Sequence, residues 1–286
     1  MNDRKPLIVG VGELLWDIFP DAKKAGGAPV NFVYHAAQMG ADGCAISAVG
    51  DDELGDEIVS ELNKYGIRNC IEKVAYPTGR VMVELKDGLP TYDIIEGVAW
   101  DYIPLTPKAL DLVRAADAIC FGSLAQRSPV SHTTIGALID ATPETSLRIF
   151  DVNLRQHYYS KELINESLLK SNVLKLNDEE LLVMRRLYDL TDSDNDVCLG
   201  LLKKYGLRYL ILTAGSVAST IYSLNETSVI ATPKVKVADT VGAGDAFTGA
   251  FVCSVLTGKT LREAHQKAVE VAAYVCTKQG AWVNYC

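Results

Sequence analysis

A chain of 286 residues, 48% hydrophobic and 22% charged, can bury one large core with room for a small accessory unit. Its formal net charge of −8 and pI of about 5.1 exclude general nucleic-acid binding, while leaving room for a local basic pocket that holds a phosphate. The seven scattered cysteines form no Cys-x-x-Cys pair, and the four separated histidines give no metal spacing. Leu7 to Phe19 is mostly apolar, but Glu13 and Asp17 interrupt it, and no charge-free stretch reaches membrane-spanning length. These features predict a cytoplasmic protein with reduced thiols and neither a membrane nor a nucleic acid as partner.

Leu7-Ile-Val-Gly-Val11 reads as a buried strand ending at Gly12. Gly10-Val-Gly12 lacks the third glycine of a dinucleotide fingerprint, since Leu15 stands in its place. Asp17, in an apolar surround, is either an exposed turn residue or an acceptor for a sugar hydroxyl. Gly26 and Gly27 permit close backbone approach to a ligand. Asn31 offers a donor and an acceptor, and equally fits as a helix cap. A helix follows to Met39, then a strand from Ala45 to Val49. The acidic run Asp51 to Glu53 reads as capping of the next helix. From Ile71 to Ile95 the pattern alternates, with Val81, Val83 and Leu85 leading to a turn over Lys86 to Pro90. This predicts a β-hairpin that serves as a lid.

Strand and helix then alternate again. Strands are predicted over Ala118 to Phe121, Arg148 to Val152, Asn172 to Leu176 and Arg208 to Thr213. Arg155 follows the second of these, where it could reach a substrate oxygen or form a surface ion pair. Asn177 reads as an N-cap with Glu180 close to a capping box, and Glu180 could also hold a metal-bound water. Ala214-Gly-Ser216 turns the chain into a second hairpin, and helices begin near Asp245 and Leu261. The order predicts an α/β fold, a mostly parallel central sheet with helices on both faces, plus a small β-sheet lid.

Asp239 to Val252 carries the clearest chemistry. Gly242, Ala243 and Gly244 open a helix in which Phe247, Phe251 and Val255 recur every four residues. A glycine-rich helix N-terminus is an anion site, and a carboxylate beside it suggests phosphoryl transfer. The macrodipole alone predicts that Asp245 stays ionised at neutral pH.

Together these residues resemble the ribokinase-type carbohydrate kinases, also called the PfkB family. Two separate stretches carry the likeness. The first is Gly26-Gly-Ala-Pro-Val-Asn31 with Gly40 and Gly50. The second is Asp239-Thr-Val-Gly-Ala-Gly-Asp245 with Gly249-Ala-Phe-Val252. Val33 departs from the smaller residue of the pattern. The resemblance implies one ribokinase-like α/β domain over residues 1–286, with a lid inserted from about 14–25 and 71–97. It implies Asp245 as catalytic base, with the amides of Gly242, Ala243, Gly244 and Asp245 as anion hole. Asp17, Gly26, Gly27, Asn31 and Arg155 become sugar-binding positions. ATP and Mg2+ are the implied cofactors, through Asn177, Glu180 by way of water, Thr213 and Gly215. Ala218 replaces the last glycine of that nucleotide loop. Val269, Ala272 and Cys276 are placed at the adenine. A K+ site common in the family matches Asp239 and the Val241 carbonyl, and pairing into a homodimer through the lid is a further expectation.

Gly12-Glu-Leu-Leu-Trp-Asp17, Ala99 to Ile103, Phe121 to Ser128 and Asp151-Val-Asn-Leu-Arg155 look most like bacterial fructokinases. The competing resemblance is to 2-keto-3-deoxygluconate kinase, whose carboxylated substrate would want cations such as Arg155 and Arg127. A non-catalytic sugar- or nucleotide-binding regulator is the reading from another class. The intact Asp245 and glycine loop argue against it.

Overall fold

The computed structural model describes residues 4–86 and 89–285. The predicted turn at Asp87 and Gly88 lies outside the described residues, as do the side chains of residues 83–92, including Val83 and Leu85. In chain order the strands are β1 (Leu7–Val11), β2 (Leu15–Ile18), β3 (Lys23–Gly26), β4 (Asp42–Gly50), β5 (Arg68–Val74), β6 (Gly79–Lys86), β7 (Leu89–Ile94), β8 (Ala118–Gly122), β9 (Leu147–Asp151), β10 (Val173–Asn177), β11 (Tyr209–Ala214), β12 (Ala218–Tyr222) and β13 (Thr227–Ala231). The helices are α1 (Ala28–Gln38), α2 (Glu53–Lys64), α3 (Pro107–Arg114), α4 (Pro129–Ala141), α5 (Lys161–Lys170), α6 (Asp178–Tyr188), α7 (Asp194–Lys204), α8 (Ala243–Leu256) and α9 (Leu261–Cys276).

Among the described residues nine strands form one sheet in the order β13-β12-β11-β10-β9-β8-β1-β4-β5. From β11 to β5 every neighbour is parallel, and β12 and β13 add an antiparallel edge. The chain winds outward from β1 to β4 and β5, then returns to β8 and winds the other way. The reversal falls between β1 and β8. In such sheets a crevice opens at the carboxyl ends of the strands at this point. A second sheet, β3-β2-β6-β7, takes residues 15–26 and 79–94, while residues 71–74 run in β5 of the large sheet.

Buried on both faces, the parallel strands are continuous apolar runs, as their sequences require. Alternate residues feed two cores. Val9, Phe121, Phe150, Leu174 and Leu176 pack under α3 to α7. Ile8, Cys120, Ile149, Val173 and Ile211 pack under α1, α2, α8 and α9. Phe247 and Phe251 of α8 are buried there, and each such burial contributes about 2–3 kcal/mol. The periodicity suggested one apolar face, but residues 246–254 of α8 are buried all round. Gly249 lets α1 press against α8, since a Cβ there would come within 2.8 Å of the Phe32 carbonyl. No helix among the described residues is long and apolar enough to cross a membrane.

Candidate active site

Gly242 caps α8 in the left-handed region (φ 77°), where a side chain is strained and would meet Ala281 at 2.8 Å. The Ala243 N–H donates to the Thr240 carbonyl at 3.3 Å. The N–H groups of Gly242, Gly244 and Asp245 have no partner among the described residues. Asp239 holds the preceding loop. Its Oδ1 accepts the Val241 amide at 3.1 Å and its Oδ2 the Gly280 amide at 3.0 Å, with the Lys24 ammonium 3.5 Å away. Burial pulls the Asp239 pKa up, but the two amides and Lys24 more than offset this and hold it below the usual value.

Asp245, in the first turn of α8, meets Asn31 from α1, 214 residues earlier: Asn31 Nδ2 donates to Asp245 Oδ2 at 2.8 Å. Asn31 does not cap its helix. Gly27 is the N-cap (φ 128°), without a side-chain bond, and a Cβ on it would fall 2.1 Å from the Glu13 carbonyl. Asp17 projects from β2 beside Gly26, whose position for a Cβ is 3.4 Å from Asp17 Oδ2. Burial pushes the Asp17 pKa up to about 6, against the pull of Lys24 and Arg155. Arg155 is exposed, follows the left-handed Asn153 (φ 43°), and donates to the Leu154 carbonyl at 2.9 Å. Its charge also acts on Glu13 and Asp245. The structure therefore brings Asp17, Gly26, Gly27, Asn31, Arg155 and Asp245 to one crevice.

Three charged groups of this crevice were not singled out as functional from the sequence. Lys175 lies on the α8 side of β10, only 7% exposed, and donates to Asp151 Oδ1 of β9 at 3.1 Å. A Cβ on Gly244 would stand 3.2 Å from the Lys175 ammonium, so this cation sits directly against the glycine turn. Burial alone would lower its pKa. Asp151, Glu180 and Asp245 outweigh that and keep it firmly protonated. Asp151 is pushed up by burial and by its acidic neighbours, while Lys175 opposes the rise. Glu13 is buried at the end of β1. Its Oε1 accepts the Ala28 amide at 3.2 Å and Asn153 Nδ2 at 3.4 Å, and its Oε2 has no partner among the described residues. Burial raises Glu13 to about 7. The available signal was a lone Lys inside the buried strand Val173-Leu-Lys-Leu176 and a lone Glu after β1.

The helix end is not the only influence on Asp245. Burial moves its pKa upward, and Glu180 adds to the rise, while Lys175, Asn31 and Arg155 pull the other way. The helix N-terminus is one contributor among several.

At the end of β10, Asn177 and Glu180 form a full capping box: Asn177 Oδ1 accepts the Glu180 amide and Glu180 Oε2 the Asn177 amide, both at 2.8 Å. Glu180 Oε1 also accepts the Leu154 amide at 3.1 Å. Thr213 of β11 pairs in register with Asn177, and Gly215 (φ 46°) makes the turn into β12. Ala218 begins β12 opposite Ala214. On α9, Val269 is spent in the core, whereas Ala272 and Cys276 are partly open. The Cys276 carbonyl accepts the Ala238 amide at 2.8 Å, tying this helix to the Asp239 loop. Among the described residues no three His, Cys, Asp or Glu side chains group to hold a metal ion directly.

A carboxylate at an open helix N-terminus, backed by a buried lysine and set at a topological switch point, is suited to phosphoryl transfer. The sequence profile of the pfkB family carbohydrate kinases matches residues 19–284, and the chain belongs to that family. It is a carbohydrate kinase with a ribokinase-like fold. An uncharacterized sugar kinase of Pyrococcus horikoshii is 29% identical over 298 residues, covering 96% of this chain and 92% of the relative. The crystal structure of that protein with ATP superposes with a TM-score of 0.81 at 27% identity, covering 96% of this chain and 94% of the other. Fructokinase-2 of Zea mays is 28% identical over 305 residues, covering 96% of this chain and 90% of the relative. A Vibrio cholerae fructokinase crystallised with fructose, ADP and calcium shares the fold with a TM-score of 0.82 at 21% identity, covering 99% of this chain and 96% of the other.

Proposed function

We propose that this chain transfers the γ-phosphoryl group of ATP to the terminal hydroxyl of fructose, giving fructose 6-phosphate. The observation that carries the reading is the Asn31–Asp245 hydrogen bond of 2.8 Å at a helix end whose Gly242, Gly244 and Asp245 amides are free. Asp245 takes the proton of the attacking hydroxyl, and the amides receive the charge of the moving phosphoryl group. The Ala243 amide is shared with Thr240, so it contributes less than its neighbours. Asp17, Gly26, Gly27, Asn31 and Arg155 hold the sugar. Asn177, Thr213, Gly215, Ala272 and Cys276 flank the nucleotide.

Magnesium fits only at second hand. Each Glu180 oxygen already accepts an amide but keeps a lone pair for a water. When bound with ATP, the ion would neutralise phosphate charge. Each Asp239 oxygen accepts one amide and likewise keeps a lone pair, so with the Val241 carbonyl it is the candidate K+ position, against which the Lys24 charge 3.5 Å away competes. The small sheet, which carries Asp17, Lys24 and Gly26, acts as a lid over the sugar. Its open edges β3 and β7 offer a surface for a homodimer.

The charge pattern favours a neutral ketose over 2-keto-3-deoxygluconate. Arg127, the second cation a carboxylated sugar would use, is buried and bonded to Asp101 at 2.8 and 2.9 Å and to the Ile95 carbonyl. Arg155 acts on Asp17, Glu13 and Asp245, and the other cations near them, Lys24 and Lys175, are paired with Asp239 and Asp151. An ATP-coupled assay over fructose, 2-keto-3-deoxygluconate, ribose, adenosine and fructose 6-phosphate tests this. Fructose is expected to lead in kcat/KM by about tenfold or more. Preference for another acceptor overturns the substrate assignment, and no turnover on any of them revives a binding regulator.

A further inference from the structure

The chain after α9 runs back along α1 as a strap. Ala281 and Val283 are buried. Tyr34 Oη donates to Asn284 Oδ1 at 2.8 Å, the Tyr285 amide to Gln38 Oε1 at 3.2 Å, and Tyr285 Oη lies 2.6 Å from His35 Nδ1. Trp282 is gripped by two rings. Tyr34 stacks on it at 6.1 Å and 27°, and Tyr65 meets it edge-on at 5.4 Å and 71°. The indole is therefore held in place by packing as well as by its polar bond.

That bond is the informative one. Trp282 Nε1–H donates to Asn31 Oδ1 at 2.8 Å. An indole nitrogen can only donate, so the Asn31 carbonyl oxygen must face it. The NH2 end is then the end turned to Asp245 Oδ2. A flipped amide would set two donors together at Trp282 and two acceptors together at Asp245. Without the indole donor, only the carboxylate would decide the orientation.

We infer that Trp282 is a positioning residue for phosphoryl transfer, locking the Asn31 amide and through it the orientation of the Asp245 carboxylate. The inference rests on the reading of Asp245 as base. Besides Asn31, Asp245 is faced by Lys175 of β10, Asp151 of β9, Arg155 after it, Glu180 of α6, Glu13 after β1 and Cys120 of β8. The two cations and the Asn31 donor favour the carboxylate, while burial and the acidic groups favour its protonated form. Loosening Asn31 therefore shifts the base toward protonation.

Trp282→Phe keeps a ring between Tyr34 and Tyr65 and removes the donor. The expected result is about tenfold lower kcat, the scale of one lost hydrogen bond, with ATP affinity within about twofold. The acidic limb of the kcat/KM profile moves to higher pH. In an Asn31→Leu background the same substitution has no further effect on kcat. Trp282→Tyr, which also lacks the indole donor, is the second vehicle, with the same expected loss. Wild-type kcat and an unmoved limb in both variants overturn the inference, as do losses that simply add to that of Asn31→Leu. Asp245→Asn run in parallel separates the two ideas. Activity there removes the base, whereas an inactive Asp245→Asn beside a normal Trp282→Phe removes only the strap's role.

Discussion

Arg127 and Asp101 meet through hydrogen bonds of 2.8 and 2.9 Å, and Lys175 and Asp151 through one of 3.1 Å. Both pairs are buried in the same molecule, but their surroundings differ. Around the first, Arg127 also bonds the Ile95 carbonyl, Asp101 also accepts the Gly97 and Val98 amides, and the guanidinium lies 4.0 Å from the Trp100 ring and 4.7 Å from that of Tyr158. Only Arg127 Nη1 lacks a hydrogen-bond partner among the described residues, and the pair pins the segment after β7 to the turn after β8. Around the second, the ammonium makes one hydrogen bond among the described residues and stands against a helix end with free amides. Its charge is shared among Asp151, Glu180 and Asp245. A pair whose cation is held by several hydrogen bonds and two rings stabilises a junction, whereas one with a single bond at a helix end leaves charge for a ligand.

Neutralising each cation in turn would break or sharpen this contrast. Lys175→Met is expected to lower kcat about a hundredfold, since it strips positive charge from beside the proposed anion hole. Arg127→Met should leave kcat within about threefold but cost about 3 kcal/mol or more in urea unfolding, because Asp101 remains buried without its partner. The same phenotype in both variants would erase the distinction.

A smaller effect concerns pH. Burial holds Glu13 at about 7 and Asp17 at about 6, above their ordinary 4.5 and 3.8. The folded state thus binds more protons than the unfolded chain between about pH 8 and 6.5, so these carboxylates raise ligand-free stability as pH falls through that range. Below it His35 and His265, lowered to about 4 by burial, oppose the trend. Asp52 and Asp239, held below their usual values, withdraw stability only below about pH 4. A Tm that climbs between about pH 8 and 6.5, and a flatter slope in Glu13→Gln, are expected. A falling Tm over that range would contradict the raised carboxylates.

The alternation of apolar runs with helical periods made the mostly parallel sheet readable, and the turn residues around Gly242 marked the open helix end. The pairing of Asn31 with Asp245 was not readable from local pattern, because it depends on how closely α1 and α8 pack at Gly249. Lys175 and Glu13 looked like single charges in apolar runs, and only the neighbouring strands show what surrounds them. Trp282 carried no signal at all, since its contact depends on the path of the chain after α9. The macrodipole argument for Asp245 named one local influence and omitted the burial and the acid neighbours that only the assembled crevice supplies.

The central claim is that Asp245 receives the proton of the sugar hydroxyl. Turnover of Asp245→Asn with fructose and ATP, beside its ATP affinity, tests it most directly. The account predicts a loss in kcat of about a thousandfold with nucleotide binding little changed. Near-normal turnover in that variant would contradict it.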